Sequence, residues 1–120
     1  MYAMDENYNT IAQWDCSDDF FPGVNEYGEP RESLPNGTYN HVSAEITDEY
    51  GPGYGTFYIT TGDPRARDIH GGGSDLPDPF APYQGWEGTY GCLRMQNADG
   101  EELAQMIIDA GNDCVLTVVD

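Results

Sequence analysis

Ile69-His70-Gly71-Gly72-Gly73, a Pro- and aromatic-rich spacer, and then Thr89-Tyr90-Gly91-Cys92-Leu93-Arg94-Met95-Gln96-Asn97 form the stretch that decides how this chain reads. It gathers a thiol, an imidazole and a guanidinium in a chain that has few of each. A thiol is a weak nucleophile near neutral pH until a neighbour lowers its pKa or takes its proton. His70 is the natural base for Cys92, and Arg94 a natural anchor for an anion. In an extended segment, residues i and i+2 face the same side, which sets Arg94 beside the thiol. There it either depresses the thiol pKa or holds a substrate carboxylate. Gly91, just before the cysteine, lets neighbouring amides converge on an oxyanion. The glycines after His70 read as a place where backbone and substrate approach closely.

Upstream of this stretch the chain reads as strands. Residues 65–70 form a short strand that delivers His70, and residues 54–61, rich in aromatic and β-branched side chains, form another. Gly51-Pro52-Gly53 and Gly62-Asp63-Pro64 are the turns that bound it. Residues 38–46 alternate, with Asn40, Val42, Ala44 and Ile46 on one side and Tyr39, His41, Ser43 and Glu45 on the other. That is one half-buried strand, with His41 read as a surface or strand-neighbour histidine rather than a second catalytic imidazole. Before it, Leu34-Pro35-Asn36-Gly37 is a turn, and residues 20–37 are loop-like. Asp15-Cys16-Ser17-Asp18-Asp19 lacks the spaced ligands and central glycine of an EF-hand, so it is an ordinary loop. Tyr2-Ala3-Met4, a turn over residues 5–9 and a second strand over 10–14 make a hairpin.

Downstream lies the one good helix. Asn97 or Asp99 can cap it, Asp99 with Glu102 fits a capping box, and Leu103, Met106, Ile107 and Ala110 make one apolar stripe. Gly111 ends it, and residues 114–119 form a closing apolar strand of the kind that runs inside a sheet. The spacer, residues 72–88, has the length of a lid or substrate wall. Its Phe80, Tyr83 and Trp86 either stack on a ligand or form a satellite cluster. The chain as a whole reads as a single mainly β domain, 1–120, with one α-helix after the cysteine.

Composition narrows the function. Twenty-two acidic residues against four arginines and no lysine give a formal net charge of -18. Such a charge speaks against nucleic acid or an anionic membrane surface as partner. Mean hydropathy is -0.61, and no apolar run approaches the roughly 18 residues of a membrane-spanning helix. The bland reading of the acidity is a solvated coat. Nine Tyr, four Phe and two Trp supply the material for a core that a disordered acidic chain would lack. Three cysteines without C-x-x-C spacing and only two histidines leave no zinc set and imply no cofactor. Cys16 and Cys114 are read as two buried thiols that could pair only in an oxidising compartment. The N-terminus shows no secretory signal, so the chain stays inside, leaves by a signal-independent route or is trimmed from a longer precursor.

The ordered elements resemble the L,D-transpeptidase catalytic domain family. Its signature is a His-Gly, a variable loop, then Ser/Thr-His-Gly-Cys, a hydrophobic residue, and Asn or Arg. Ile69-His70-Gly71 and Thr89-Tyr90-Gly91-Cys92-Leu93-Arg94-Met95 match it in order, and Leu34-Pro35-Asn36-Gly37-Thr38-Tyr39 resembles the family's turn into a strand. The likeness runs from about Arg31 to the C-terminus. It implies a β-sandwich-like domain with Cys92 as acyl-accepting nucleophile and His70 as general base and acid. Thr89 and Gly71 would support the site, with an oxyanion hole from the amides around Tyr90, Gly91 and Cys92. The implied substrate is the stem peptide of peptidoglycan, from which a terminal D-amino acid leaves before the acyl group passes to an amine or to water. The implied place of action is the cell wall; the short chain without the signal or anchor expected of a wall enzyme raises a phage-encoded or exported-effector form as an alternative. The chain departs from the pattern at Tyr90, where the family has histidine. Tyrosine titrates near pH 10 and cannot serve as a neutral-pH base.

Two other readings compete. A non-catalytic wall-binding domain of the same fold is favoured by Tyr90. A sortase-like cysteine transpeptidase shares the order His, Cys, Arg, but its arginine lies farther past the cysteine. Papain-like enzymes reverse the order of Cys and His.

Overall fold

The computed structural model describes residues 1–4, 7, 9–24, 28–112 and 114–118. Its centre is a four-stranded sheet of β4 (Ser43–Ile46), β5 (Phe57–Thr60), β6 (Ile69–His70) and β7 (Leu93–Arg94), in that order. The first two pairings are antiparallel and the last, β6 with β7, is parallel. Helix α1 (Asn97–Asp109) packs on β4 and β5. The architecture is thus small and mainly β with one helix after the cysteine.

Register fixes what each face carries, because paired residues point to the same side. Ala44, Ile59, Ile69 and Leu93 are paired in turn across the sheet, and so are Glu45, Tyr58, His70 and Arg94. The first row faces the core, where Phe57, Ile59, Ile69 and Leu93 meet Leu103, Ala104 and Ile107 of the helix. Fully burying each large side chain there is worth roughly 2 kcal/mol. Gly100 is part of this contact. A Cβ there would lie 1.9 Å from the Phe57 ring, so the ring rests directly on helix backbone.

Two small antiparallel ribbons flank the sheet. β1 (Tyr2–Met4) pairs with β2 (Thr10–Gln13), as the hairpin pattern implies; residues 5, 6 and 8 of its turn lie outside the described residues. β3 (Gly37–Tyr39) pairs with β8 (Leu116–Val118).

Several expectations are corrected here. The alternating run 38–46 is two strands, since β3 pairs with β8 while β4 pairs with β5. Alternation reports which side faces inward, not which partner a strand chooses. The closing strand therefore lies in a two-stranded ribbon, with Val115 exposed, and residue 119 lies outside the described residues. The strand expected from Tyr54 begins only at Phe57, because residues 51–55 fold into a turn with Gly55 N–H on the Gly51 carbonyl at 3.2 Å. Helix α1 has Gln96 at its N-cap and no side-chain cap hydrogen bond. The Asn97 side chain is committed elsewhere. At the other end, Gly111 (φ 69°) and Asn112 N–H groups bond the Ile108 and Ile107 carbonyls, the Schellman closure anticipated at Gly111. Ala110 is exposed rather than on the buried stripe. Cys16 is a free, exposed thiol rather than a buried one. The loop over residues 15–19 is tied to the β7 edge, where Ser17 and Arg94 exchange backbone hydrogen bonds of 2.8 and 2.9 Å.

Candidate active site

Register carries His70 and Arg94 side by side on the sheet face away from the helix. Cys92, two residues before Arg94, precedes β7 and adjoins Asp68, whose N–H donates to the sulfur at 3.3 Å. All three side chains line one open cleft of about 700 Å³. The grouping expected of Cys92, His70 and Arg94 is therefore present.

His70 is 3% exposed. Its Nδ1 lies 2.9 Å from the Gly71 carbonyl oxygen. A carbonyl only accepts, so Nδ1 carries the proton and Nε2 holds the lone pair. Burial pushes the imidazole pKa down to about 4, with the Arg94 charge acting the same way. The ring is neutral at pH 7, the form a general base requires, but a value that low makes it a weak base. Tyr58 stacks on it at 6.1 Å between centroids and 10° between planes, and Tyr54 leans on it at 4.9 Å.

The thiol is less ready. Burial raises the Cys92 pKa above its ordinary value, against the lowering effect of the Asp68 N–H. Its S–H donates to the Ala66 carbonyl at 3.7 Å. In the resting state the proton thus points at backbone, and activation requires the side chain to turn toward the imidazole.

Thr89 holds the turn before the cysteine. Its hydroxyl donates to the Cys92 carbonyl at 2.7 Å and accepts from Gly91 N–H at 3.0 Å. Of the three amides expected around an oxyanion, that of Gly91 is therefore taken. Gly91 has φ 132°, and a Cβ there would meet the Glu32 carbonyl at 2.6 Å, so glycine is required for chain path. Tyr90 points outward, 69% exposed, beneath the Arg31 guanidinium at 4.2 Å and beside Phe21.

The glycine run does not open the site to substrate. Gly71, Gly72 and Gly73 are buried, and a Cβ on Gly72 would strike Gly55 N at 2.4 Å. They let two backbone segments touch. A Cβ on either Gly55 or Gly71 would lie 2.1 Å from Asn97 Oδ1. That side chain is fully buried, accepts from Thr56 N–H at 3.2 Å and donates to the Pro79 and Ala81 carbonyls at 2.8 and 2.7 Å. Gln84 adds bonds to the Met95 carbonyl and Asn97 N–H, and Gln96 pairs both ways with Gly85. Three amide side chains thus fix the spacer to the sheet. Phe80, Tyr83 and Trp86 are exposed and outside the cleft lining, which takes only Ser74, Glu87 and Gly88 from the spacer.

Charge is the feature that sequence reasoning missed. Arg31, Arg65, Arg67 and Arg94, every cation side chain of the chain apart from histidine, line this one cleft. Arg67 is committed to Asp63 through two bonds of 2.8 and 3.1 Å. Arg94 donates to the Gly72 carbonyl and lies 3.9 Å from Glu87. The Nε atoms of Arg65 and Arg94 have no hydrogen-bond partner among the described residues. The rarity of cations was the available signal. Asp68 and Tyr58 were missed as well. Asp68 accepts from the Tyr58 hydroxyl at 2.6 Å and from Thr61 N–H at 2.9 Å. His41, by contrast, is exposed and outside the cleft lining.

Among the described residues no helix is long and apolar enough to cross a membrane. No family model, no curated protein and no solved structure matches the chain.

Proposed function

We propose that the protein is a cysteine acyl-transferase of the L,D-transpeptidase kind, with that family's β-sandwich-like catalytic fold. It acts at the cell wall on peptidoglycan stem peptides through a Cys92 acyl-enzyme. The observation that carries this reading is the convergence of Cys92, His70 and Arg94 on one cleft, with the imidazole neutral and its Nε2 unprotonated.

In this mechanism the Cys92 sulfur attacks the carbonyl carbon joining a diaminopimelate-type residue to the terminal D-amino acid. The thiol proton passes to His70 Nε2. As the C–N bond breaks, the imidazolium returns that proton to the departing amine. Water or an amine then attacks the thioester carbon while His70 Nε2 takes its proton; the C–S bond breaks and the imidazolium returns that proton to the Cys92 sulfur. The developing oxyanion is assigned to the amides of Tyr90 and Cys92, and the carboxylates of an anionic peptide to the cleft arginines not committed to Asp63.

Intact mass after incubation with a carbapenem, which acylates this family at the active cysteine, tests the reading together with release of a D-amino acid from a stem peptide. Expected are a single adduct, lost in Cys92→Ala, and turnover lost in His70→Ala but kept in His41→Ala. Absence of both adduct and turnover on the native protein sinks it. Release without an exchanged product assigns hydrolysis rather than transpeptidation. The second reading, a non-catalytic wall-binding domain, is favoured by the thiol's bond to the Ala66 carbonyl and its raised pKa. Binding of stem peptide without adduct or turnover selects it.

A further inference from the structure

We propose that the pocket beside the cleft, lined by Glu45, Tyr50, Tyr54, Tyr58 and Thr60, is a binding site for a primary alkylammonium group. The pocket has a volume of about 350 Å³. Its three tyrosine rings stand 5.3, 5.8 and 6.4 Å apart, centroid to centroid, at inclinations of 47° to 67°. A triangle that small lets one cation seated over it lie within about 6 Å of all three centroids, the range in which a ring quadrupole attracts a positive charge. Tyr50 and Tyr54 are 44% and 41% exposed, so the cluster keeps ring surface open to solvent instead of closing over itself.

Glu45 supplies the charge. The Tyr50 hydroxyl donates to its carboxylate at 2.9 and 3.1 Å, which fixes the group at the rim of the rings. A carboxylate accepts several hydrogen bonds, so capacity remains for an ammonium N–H. The lining contains no cation, since all four arginines line the other cleft. A primary ammonium matches this lining better than a quaternary one, because it offers N–H groups to Glu45 as well as charge to the rings.

The two pockets share Tyr54 and Tyr58, and both rings touch His70. An ammonium held here is separated from the imidazole by the Tyr54 and Tyr58 rings. Its use as the amine that accepts the acyl group rests on the acyl-transfer reading; the binding itself does not.

The test is an NMR titration of the native protein with n-butylammonium chloride at constant ionic strength, with n-butanol as the neutral control. Saturable shifts of the Tyr50, Tyr54 and Tyr58 ring signals are expected, with a dissociation constant on the order of 1 mM. Glu45→Gln and Tyr50→Ala each weaken binding at least fivefold, whereas Cys92→Ala and Tyr83→Ala leave it unchanged. Glu45 and Tyr50 are exposed, and the conservative Glu45→Gln keeps the test decisive if Tyr50→Ala disturbs the ring cluster. Tetramethylammonium should bind more weakly and lose less on Glu45→Gln. Shifts that do not saturate, equal binding of n-butanol, or undiminished affinity in Glu45→Gln overturns the proposal. A protein that binds n-butylammonium but forms no acyl-enzyme retires the acyl-transfer reading alone. One that acylates Cys92 but ignores n-butylammonium retires this site alone.

Discussion

One face of the central sheet runs from Glu45 through Tyr58 and His70 to Arg94, and its two ends are opposites. At the β7 end a guanidinium is 3% exposed under the spacer, with Glu87 beside it. At the β4 end a carboxylate and two tyrosines stand in solvent. Sheet, register and face are shared, so the difference comes from what lies on top. Loop coverage, not position in the sheet, sets the dielectric that each charge feels. At the covered end, burial shifts pKa values and raises the stakes of every ion pair. At the open end, water screens charge and leaves it available to a ligand.

The largest expected effect breaks the covered end. Arg94→Ala leaves Glu87 without its cation and the Gly72 carbonyl with only the 3.5 Å bond from Gln84 Nε2, at a cost of about 3 kcal/mol in urea denaturation. Adding Glu87→Gln should recover part of that loss. Full recovery would trace the whole loss to the unpaired Glu87, and none would show that the two groups are not coupled.

Next comes the pH dependence of His70. The folded imidazole titrates at about 4 and the unfolded one at 6.5. Between those values the unfolded chain binds a proton that the folded one does not. Stability from this group is therefore complete above pH 6.5 and falls as pH drops toward 4, by about 3 kcal/mol in all. Denaturation of the native protein and His70→Gln at pH 7, 5.5 and 4 isolates it, since carboxylate effects cancel in the difference. Parallel curves would mean that the imidazole is not held neutral.

Tyr58 sits where the two ends meet. Tyr58→Phe keeps the ring stack on His70 but removes a donor from Asp68, with an expected cost of about 1–2 kcal/mol. Smallest is Tyr90→His. The side chain is exposed, so introducing the histidine of the L,D-transpeptidase signature should change stability by less than about 0.5 kcal/mol. A large rise in acylation rate with that substitution would show that Tyr90 limits activity.

Much of this arrangement was legible in the sequence because it is local. His70, Cys92 and Arg94 were found from scarcity and from the two-residue period of an extended chain. The helix was found from its apolar spacing, and Gly111 from the need for a positive φ. What stayed hidden was pairing at a distance. Residues 38–46 alternate without a break, yet the chain changes partner between Tyr39 and Ser43, from β8 to β5. Gly71 to Gly73 signalled close approach, but not of what. Gly55, Pro52 and Asn97, far off in sequence, are the neighbours. Asn97 looked like a helix cap because capping is the local use of that residue type, whereas its partners here lie up to 41 residues away.

Asn97 gives the molecule a mechanical character. One side chain fastens the Thr56 amide, Pro79 and Ala81, so the turn before β5, the spacer and the helix start release together or not at all. In amide exchange the Thr56, Asn97 and Ala98 N–H groups should then open as a single cooperative unit, while the exposed hairpin of β1 and β2 exchanges independently and sooner. Gln84 and Gln96 reinforce this latch on the spacer side, but Asn97 alone among the three also reaches the turn before β5.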